Sequence, residues 1–324
     1  MNDFYKIGLK LAGATDSAAR AVMPFSGKDD KHGADYEAVK AFRENLNKLD
    51  IKLRIIIGEG EKDKAPMLYS GEILGNRSDN TEIDFLDLIV DPLECTTNFA
   101  KGLPDSMSVL AALPAGCIQN IPGTYMEQML VPPQMRALLG NEINLETPVD
   151  EFLRKASQKL DRPINNFTIT VQDRPRHKEL IKKIRDAGAG VSLIDSGSIS
   201  SAMKIISGKS KRLNILWGTF GAPEGLIIAC LARRTGFGFL GRIAPHDKKT
   251  VEETESMGLT GKTLTADEWI QDDGVVVMTG IHTSIFLPGV EFTQNKNSLR
   301  THTLIWTSDK KIMVSHLDGI RESN

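Results

Sequence analysis

The sequence predicts an α/β chain (α+β in its first part), on three observations. Short apolar runs end in acids or glycine, as buried strands do where they meet loops. From Phe167 onward such runs alternate with amphipathic stretches, the pattern of parallel βαβ units. The chain has 324 residues, 40% hydrophobic and 25% charged, ordinary for a globular protein and enough for two domains.

Residues 3–22 carry Phe4, Ile7, Leu11, Ala18 and Val22 at helical spacing, and residues 36–49 carry Val39, Phe42, Leu46 and Leu49. Between them Ser26 to Asp35 reads as a polar loop. Strands are expected near 53–57, 85–90 and 107–113. Four prolines make 121–150 read as irregular, before a helix near 149–160. A break at Asp161-Arg-Pro-Ile predicts two domains, 1–163 and 164–324. In the second, strands near 167–171, 190–194 and 212–217 alternate with helices near 176–187, 198–207 and 222–235. Thr265-Ala-Asp-Glu268 is a capping box. Strands near 274–279, 302–307 and 311–316 close the chain, the last two as a hairpin through Ser308-Asp309-Lys310, free to join either sheet.

A net charge of −2 gives no electrostatic reason to expect nucleic acid or an anionic membrane. The cysteines, Cys95, Cys117 and Cys230, are odd in number and form no CxxC pair, which favours neither zinc nor a disulfide framework. With no signal pattern at the N-terminus and no apolar run near the length of a membrane span, the expectation is a cytoplasmic protein.

The chemistry concentrates in Asp91-Pro-Leu-Glu-Cys-Thr-Thr97, directly after the apolar run Phe85–Val90. Two acids and two hydroxyls in one turn, with a proline fixing the backbone, suit a hard divalent cation and a phosphate ester. Ile55-Ile56-Ile57-Gly58-Glu59-Gly60-Glu61 repeats the theme, and strand ends are where open α/β sheets bind ligands. Glu224, in Gly221-Ala-Pro-Glu-Gly225, falls in the first turn of a helix; it suits either a ligand or plain dipole stabilisation. Lys31, Lys101, Arg174 and Arg176 are candidate phosphate contacts, Arg174-Pro175-Arg176 lying between a strand and a helix. Two motif matches are set aside. Gly236-Phe-Gly-Phe-Leu-Gly241 follows a helix and opens none, and Ser207-Gly-Lys-Ser210 has Met203 where a phosphate loop needs glycine. Cys95 has no basic partner near it in sequence.

These residues resemble the class II fructose-1,6-bisphosphatases, some of which also act on sedoheptulose 1,7-bisphosphate. The resemblance runs along nearly the whole chain. It rests on Lys31 with Ala34-Asp35, Gly58-Glu-Gly-Glu-Lys-Asp-Lys-Ala-Pro-Met-Leu-Tyr69, Asp91-Pro-Leu-Glu94 with Thr96, Tyr125-Met-Glu127, Arg174-Pro-Arg-His177 and Gly221-Ala-Pro-Glu-Gly225. It implies a sugar-phosphatase fold of alternating α and β layers, Mg2+ or Mn2+ as cofactor, a sugar bisphosphate as substrate, and a homo-oligomer (dimer or tetramer). It further implies that Asp35 and Glu59 hold one metal, and that Asp91, Glu94 and Glu224 hold another. Asp63 and Thr96 would orient or deprotonate the attacking water. Lys31, Glu94, Cys95, Thr96, Tyr125, Arg174, Pro175, Arg176, Ser196, Gly197, Ser198 and Gly221 would hold the substrate. Two positions depart from the family pattern: Cys95 replaces a glycine, and Ser196-Gly197-Ser198 replaces an Asp-Gly-Asp turn.

Overall fold

The computed structural model describes residues 3–58, 67–76, 85–208, 213–293 and 298–319. The chain opens with α1 (Phe4–Val22), α2 (Lys31–Asn47), β1 (Leu53–Ile57), β2 (Ile73–Leu74), β3 (Leu86–Glu94), α3 (Thr96–Ala100) and β4 (Met107–Pro114). It continues through β5 (Tyr125–Val131), α4 (Val149–Leu160), β6 (Phe167–Gln172), α5 (Lys178–Asp186), β7 (Gly190–Ile194), α6 (Ser198–Ile206), β8 (Leu213–Gly221) and α7 (Ala222–Thr235). Then come β9 (Gly238–Ala244), α8 (Lys248–Ser256), β10 (Thr263–Thr265), α9 (Ala266–Trp269), β11 (Val275–Gly280), β12 (Glu291–Phe292), β13 (Ser298–Thr307) and β14 (Lys311–Gly319).

The class is α/β, as the alternation predicts. Contacts group residues 1–118 with 272–324 in one unit and 119–271 in another, a different division from 1–163 and 164–324. The reason is pairing across long sequence separation. β5 inserts between β8 and β9, and Phe152 of α4 packs edge-on against Trp217 of β8, so 119–163 belongs with the sheet that contains β8 and β9. β11 pairs with β4, which returns the closing strands to the first sheet.

The first unit is an eight-stranded mixed sheet of order β12-β13-β11-β4-β3-β1-β2, with β14 on the other side of β13. The expected hairpin is β13–β14. α1 and α2 cover one face, where Leu11, Val22, Phe42 and Leu46 meet Leu88, Val90, Leu110 and Ile305. At the start of β3, buried Asp87 takes both Nε and Nη2 of Arg54, at 2.8 and 2.9 Å, so this acid is structural. α2 begins at Lys31, earlier than the apolar spacing indicates. Asp30 is its cap, Oδ1 accepting from Gly33 N at 2.9 Å. Lys31 and Asp35, expected in a loop, are therefore one helical turn apart on α2 and share a face.

The second unit is a six-stranded sheet of order β10-β9-β5-β8-β6-β7. β6 is parallel to β7 and β8, the expected βαβ geometry, while β5 runs antiparallel to β8 and β9. Strand β5 occupies the stretch expected to be irregular. α4 and α5 cover one face through Phe152, Leu153, Ile181 and Ile184. α7 covers the other, with Gly225 letting it approach Met126 and Gln128 of β5. Thr265 and Glu268 form the expected capping box at α9. Gly236 to Gly241 runs from the end of α7 into β9 and forms no dinucleotide loop. These directions bring the C-terminal ends of β6, β7, β8 and β9 and the start of β5 to one edge. Among the described residues, no helix is long and apolar enough to cross a membrane.

Candidate active site

The first unit contributes the end of β3, which is buried along its whole length. Residues three apart on a regular strand point to opposite faces. Here β3 carries an extra residue between Asp91, opposite Val109, and Glu94, opposite Met107. Such a bulge re-aims side chains, and Pro92 within it has no N–H to leave unpaired. As a result Asp91 and Glu94, each 4% exposed, offer carboxylate oxygens within 4.8 Å of one another.

Cys95 follows at φ 68°, ψ 39°, in the left-handed region, and its buried residue caps α3. The turn therefore keeps a glycine-like backbone although it carries a Cβ. Thr96 Oγ1 donates to Leu93 O at 2.9 Å. Its proton is thereby committed, and its lone pairs remain for a donor such as water. Lys31 Nζ donates to Thr97 Oγ1 at 3.2 Å, joining the start of α2 to α3. Asp35 is half-buried on α2. Glu59 and Asp63 lie outside the described residues.

In the second unit the candidate residues lie at the sheet edge defined above. Tyr125 opens β5, opposite Gly221 at the end of β8. Pro175 starts a short 3-10 turn, Pro175–His177, after β6. Arg174 Nη2 donates to Asp195 O at 2.8 Å. The Arg176 guanidinium lies over the Tyr125 ring, 5.0 Å from its centroid. Its Nε and Nη2 donate to Thr219 O, and Nη2 also donates to Gln172 Oε1. Burial, the largest influence, pulls the Arg176 pKa below its ordinary value. Ser196 precedes Gly197, which is left-handed at φ 88°, and Ser198 is the buried first residue of α6. Tyr125, Arg174 to Arg176, Ser196 to Ser198 and Gly221 thus share one edge, where α6 and α7 present their N-termini. A cavity of about 590 Å³ opens beside Arg176 and Thr219, with Trp217, Leu180 and Lys183 among its walls.

Sequence reasoning missed the role of His177. It is buried, Thr219 N donates to its Nε2 at 2.8 Å, and its Nδ1 is 2.8 Å from Gln172 O. Nε2 must be the acceptor, so Nδ1 carries the proton and donates to Gln172. The neutral ring staples the arginine turn to β8, and burial, the leading cause, lowers its pKa. Only its place directly after Arg176 could have signalled this.

Glu224 is the third residue of α7. Its carboxylate folds back over Gly221, where any Cβ would collide with it. Gln128 Nε2 donates to Gly221 O at 3.0 Å and holds that backbone. Glu224 Oε2 is buried and has no hydrogen-bond partner among the described residues. An unsatisfied buried carboxylate oxygen is costly unless a ligand completes it. In the first unit the paired carboxylate oxygens of Asp91 and Glu94 suit a hard divalent cation.

Each unit by itself carries equipment of a phosphate-handling α/β enzyme: a strand-end acid pair running into a left-handed turn in the first, and arginines with helix N-termini at one sheet edge in the second. The chain belongs to the bacterial fructose-1,6-bisphosphatase family, glpX-encoded, whose model matches residues 5–318. Among its relatives, the D-fructose 1,6-bisphosphatase class 2/sedoheptulose 1,7-bisphosphatase of a Synechococcus species is 35% identical, covering 94% of this chain and 93% of that protein. The protein of the same description from Trichodesmium erythraeum is 34% identical, again over 94% and 93%. A solved structure, an extragenic suppressor from Pyrococcus furiosus, aligns over 62% of this chain and 70% of its own at 16% identity. Its TM-score of 0.30 is too low to bear on the fold.

Proposed function

We propose that this protein hydrolyses the 1-phosphate of fructose 1,6-bisphosphate, giving fructose 6-phosphate and phosphate, and that it requires Mg2+ or Mn2+. The observation that carries this is the bulged end of β3, which gathers the buried carboxylates of Asp91 and Glu94 ahead of a left-handed turn. Family membership supports the same reading. The relatives' double description makes sedoheptulose 1,7-bisphosphate the second substrate to try.

In this reading Asp91, Glu94 and Glu224 serve one cation, and Asp35 with Glu59 a second. Bound divalent ions would acidify the attacking water and stabilise the entering and leaving oxygens. Thr96, its own proton given to Leu93 O, orients that water by accepting from it, and Asp63 receives its proton. Lys31, Cys95 and Thr96 line the reacting phosphate, Cys95 and Thr96 through their backbone N–H groups. Tyr125, Arg174 with Pro175, Arg176, Ser196, Gly197, Ser198 and Gly221 hold the sugar and its second phosphate. Serines 196 and 198 offer short neutral hydroxyls, which grip a sugar less tightly than carboxylates would. A cytoplasmic location and a homo-oligomeric state, dimer or tetramer, complete the proposal; light scattering decides the second.

The test is phosphate release across a sugar-phosphate panel with each metal. Turnover of fructose 1,6-bisphosphate that needs divalent ion is expected. No release from it, from sedoheptulose 1,7-bisphosphate or from inositol phosphate, with either metal, would refute the proposal. Glu59→Ala and Asp91→Ala should each abolish turnover; undiminished activity would overturn the ligand assignment.

A further inference from the structure

His282 lies just past β11 and belongs to none of the residue sets above. Its Nδ1 is 2.7 Å from Leu103 O and its Nε2 is 2.7 Å from Ser26 Oγ. A carbonyl only accepts, so Nδ1 carries the proton, and in the neutral ring Nε2 accepts from the Ser26 hydroxyl. The ring stacks on Phe99 of α3, with centroids 5.2 Å apart and planes 26° from parallel. His282 N is itself fixed to Ser106 O at 3.1 Å. The imidazole therefore ties together three segments: residues 26–29, which lead through the Asp30 cap into Lys31; α3, which Thr96 opens, with Leu103 after it; and the end of β11. Around it Gly27 N donates to Phe99 O at 3.1 Å and Asp29 N to Ala100 O at 3.0 Å.

α3 spans only Thr96–Ala100. A helix this short gains almost nothing from cooperative hydrogen bonding, so its position is set from outside. We infer that Ser26, His282 and the Leu103 carbonyl form a clasp that positions α3 against the start of α2, holding Lys31 and Thr97 in contact beside Thr96. His282 is a positioning residue here: it touches no reacting group and acts through α3. The inference rests on the proposed phosphatase reading for its effect on turnover, but not for its effect on α3.

Three substitutions test it. Ser26→Ala removes only the Nε2 bond. His282→Asn keeps a donor for Leu103 O and loses Ser26; His282→Gln does the reverse. Ser26→Ala is expected to lower kcat about tenfold while KM stays within about twofold, because misplacement near a reacting phosphate is felt mainly in the transition state. Combining Ser26→Ala with His282→Asn should cost no more than His282→Asn alone, since both remove one bond. Separately, amide hydrogen exchange at Phe99, Lys101 and Leu103 should quicken in Ser26→Ala while β3 stays protected. Unchanged kcat in folded Ser26→Ala protein, or a loss that merely tracks the fraction unfolded, would overturn the clasp. If the wild type turns over no bisphosphate, the functional reading fails and exchange decides alone: unaltered protection at α3 refutes the inference, faster exchange there sustains it. If the His282 variants do not fold, Ser26→Ala carries both readouts.

Discussion

Replacing Cys95 by glycine probes the turn on which the phosphate site depends. Cys95 holds φ 68°, ψ 39°, where an L-residue bears about 1–2 kcal/mol of steric cost. Glycine removes that cost, but it loses about 0.5–1 kcal/mol in added backbone freedom. It also forfeits burial of a small side chain, about 1 kcal/mol at ~25 cal/mol per Å². The terms nearly cancel, so Cys95→Gly should unfold within about 1 kcal/mol of wild type. Cys95→Val, β-branched at positive φ, should be destabilised by more than about 2 kcal/mol. Because the backbone is already glycine-like, turnover in Cys95→Gly should stay within about tenfold of wild type, a barrier change below about 1.4 kcal/mol. Urea unfolding with paired phosphate-release assays gives both numbers. A neutral valine variant, or a glycine variant that loses more than about 2 kcal/mol, would show that the left-handed turn is not what the chain maintains. A hundredfold gain in turnover would show instead that the Cβ obstructs the phosphate.

Other outcomes come from the same geometry. Asp91→Asn keeps the size of the side chain but gives up an anionic oxygen ligand, so turnover should be lost at every divalent-ion concentration while the protein stays folded; a variant with normal turnover contradicts the assignment. Gly221→Ala, at an unstrained φ of −63°, should fold normally but push the Glu224 carboxylate aside, raising the divalent-ion concentration for half-maximal activity about tenfold or more; an unchanged metal titration speaks against Glu224 as a ligand. His177 binds its proton more weakly folded than unfolded. Its contribution is thus complete above the unfolded pKa near 6.5 and lost as pH falls toward the folded value. Stability should decline below about pH 6.5, and His177→Gln should flatten that part of the profile; an identical slope in the variant would assign the effect to another group.

Much of the fold was legible where local chemistry decides it. β1, β6 and β7 are short and rich in apolar residues, and α6 and α7 start directly after Gly197 and Gly221. The start of α2 was not legible, because Lys31 to Asp35 is polar and the helix is announced only by the Asp30 side chain folding onto Gly33 N. Strand β5 was hidden among prolines and exists through its ladders to β8 and β9. Those pairings, and the return of β11 to β4, cross long stretches of chain that no local period encodes, which is why the boundary expected after residue 163 lies elsewhere.

The site divides the same way. Asp91 and Glu94 were legible as acids at a strand end, but their convergence depends on a bulge that a period-two reading sends to opposite faces. The requirement for positive φ at residue 95 was readable from the glycine that cysteine replaces, and the backbone adopts it. His177 and His282 were not readable as staples, since each takes its role only through partners such as Thr219 and Ser26 that are distant in sequence.

The most direct test of the account is phosphate release from fructose 1,6-bisphosphate by the metal-stripped protein, before and after Mn2+ or Mg2+ is restored. The stripped protein should release none, adding either ion should restore release, and Asp91→Ala should release none at any metal concentration. Equal release with and without divalent ion, or an active Asp91→Ala variant, would contradict it.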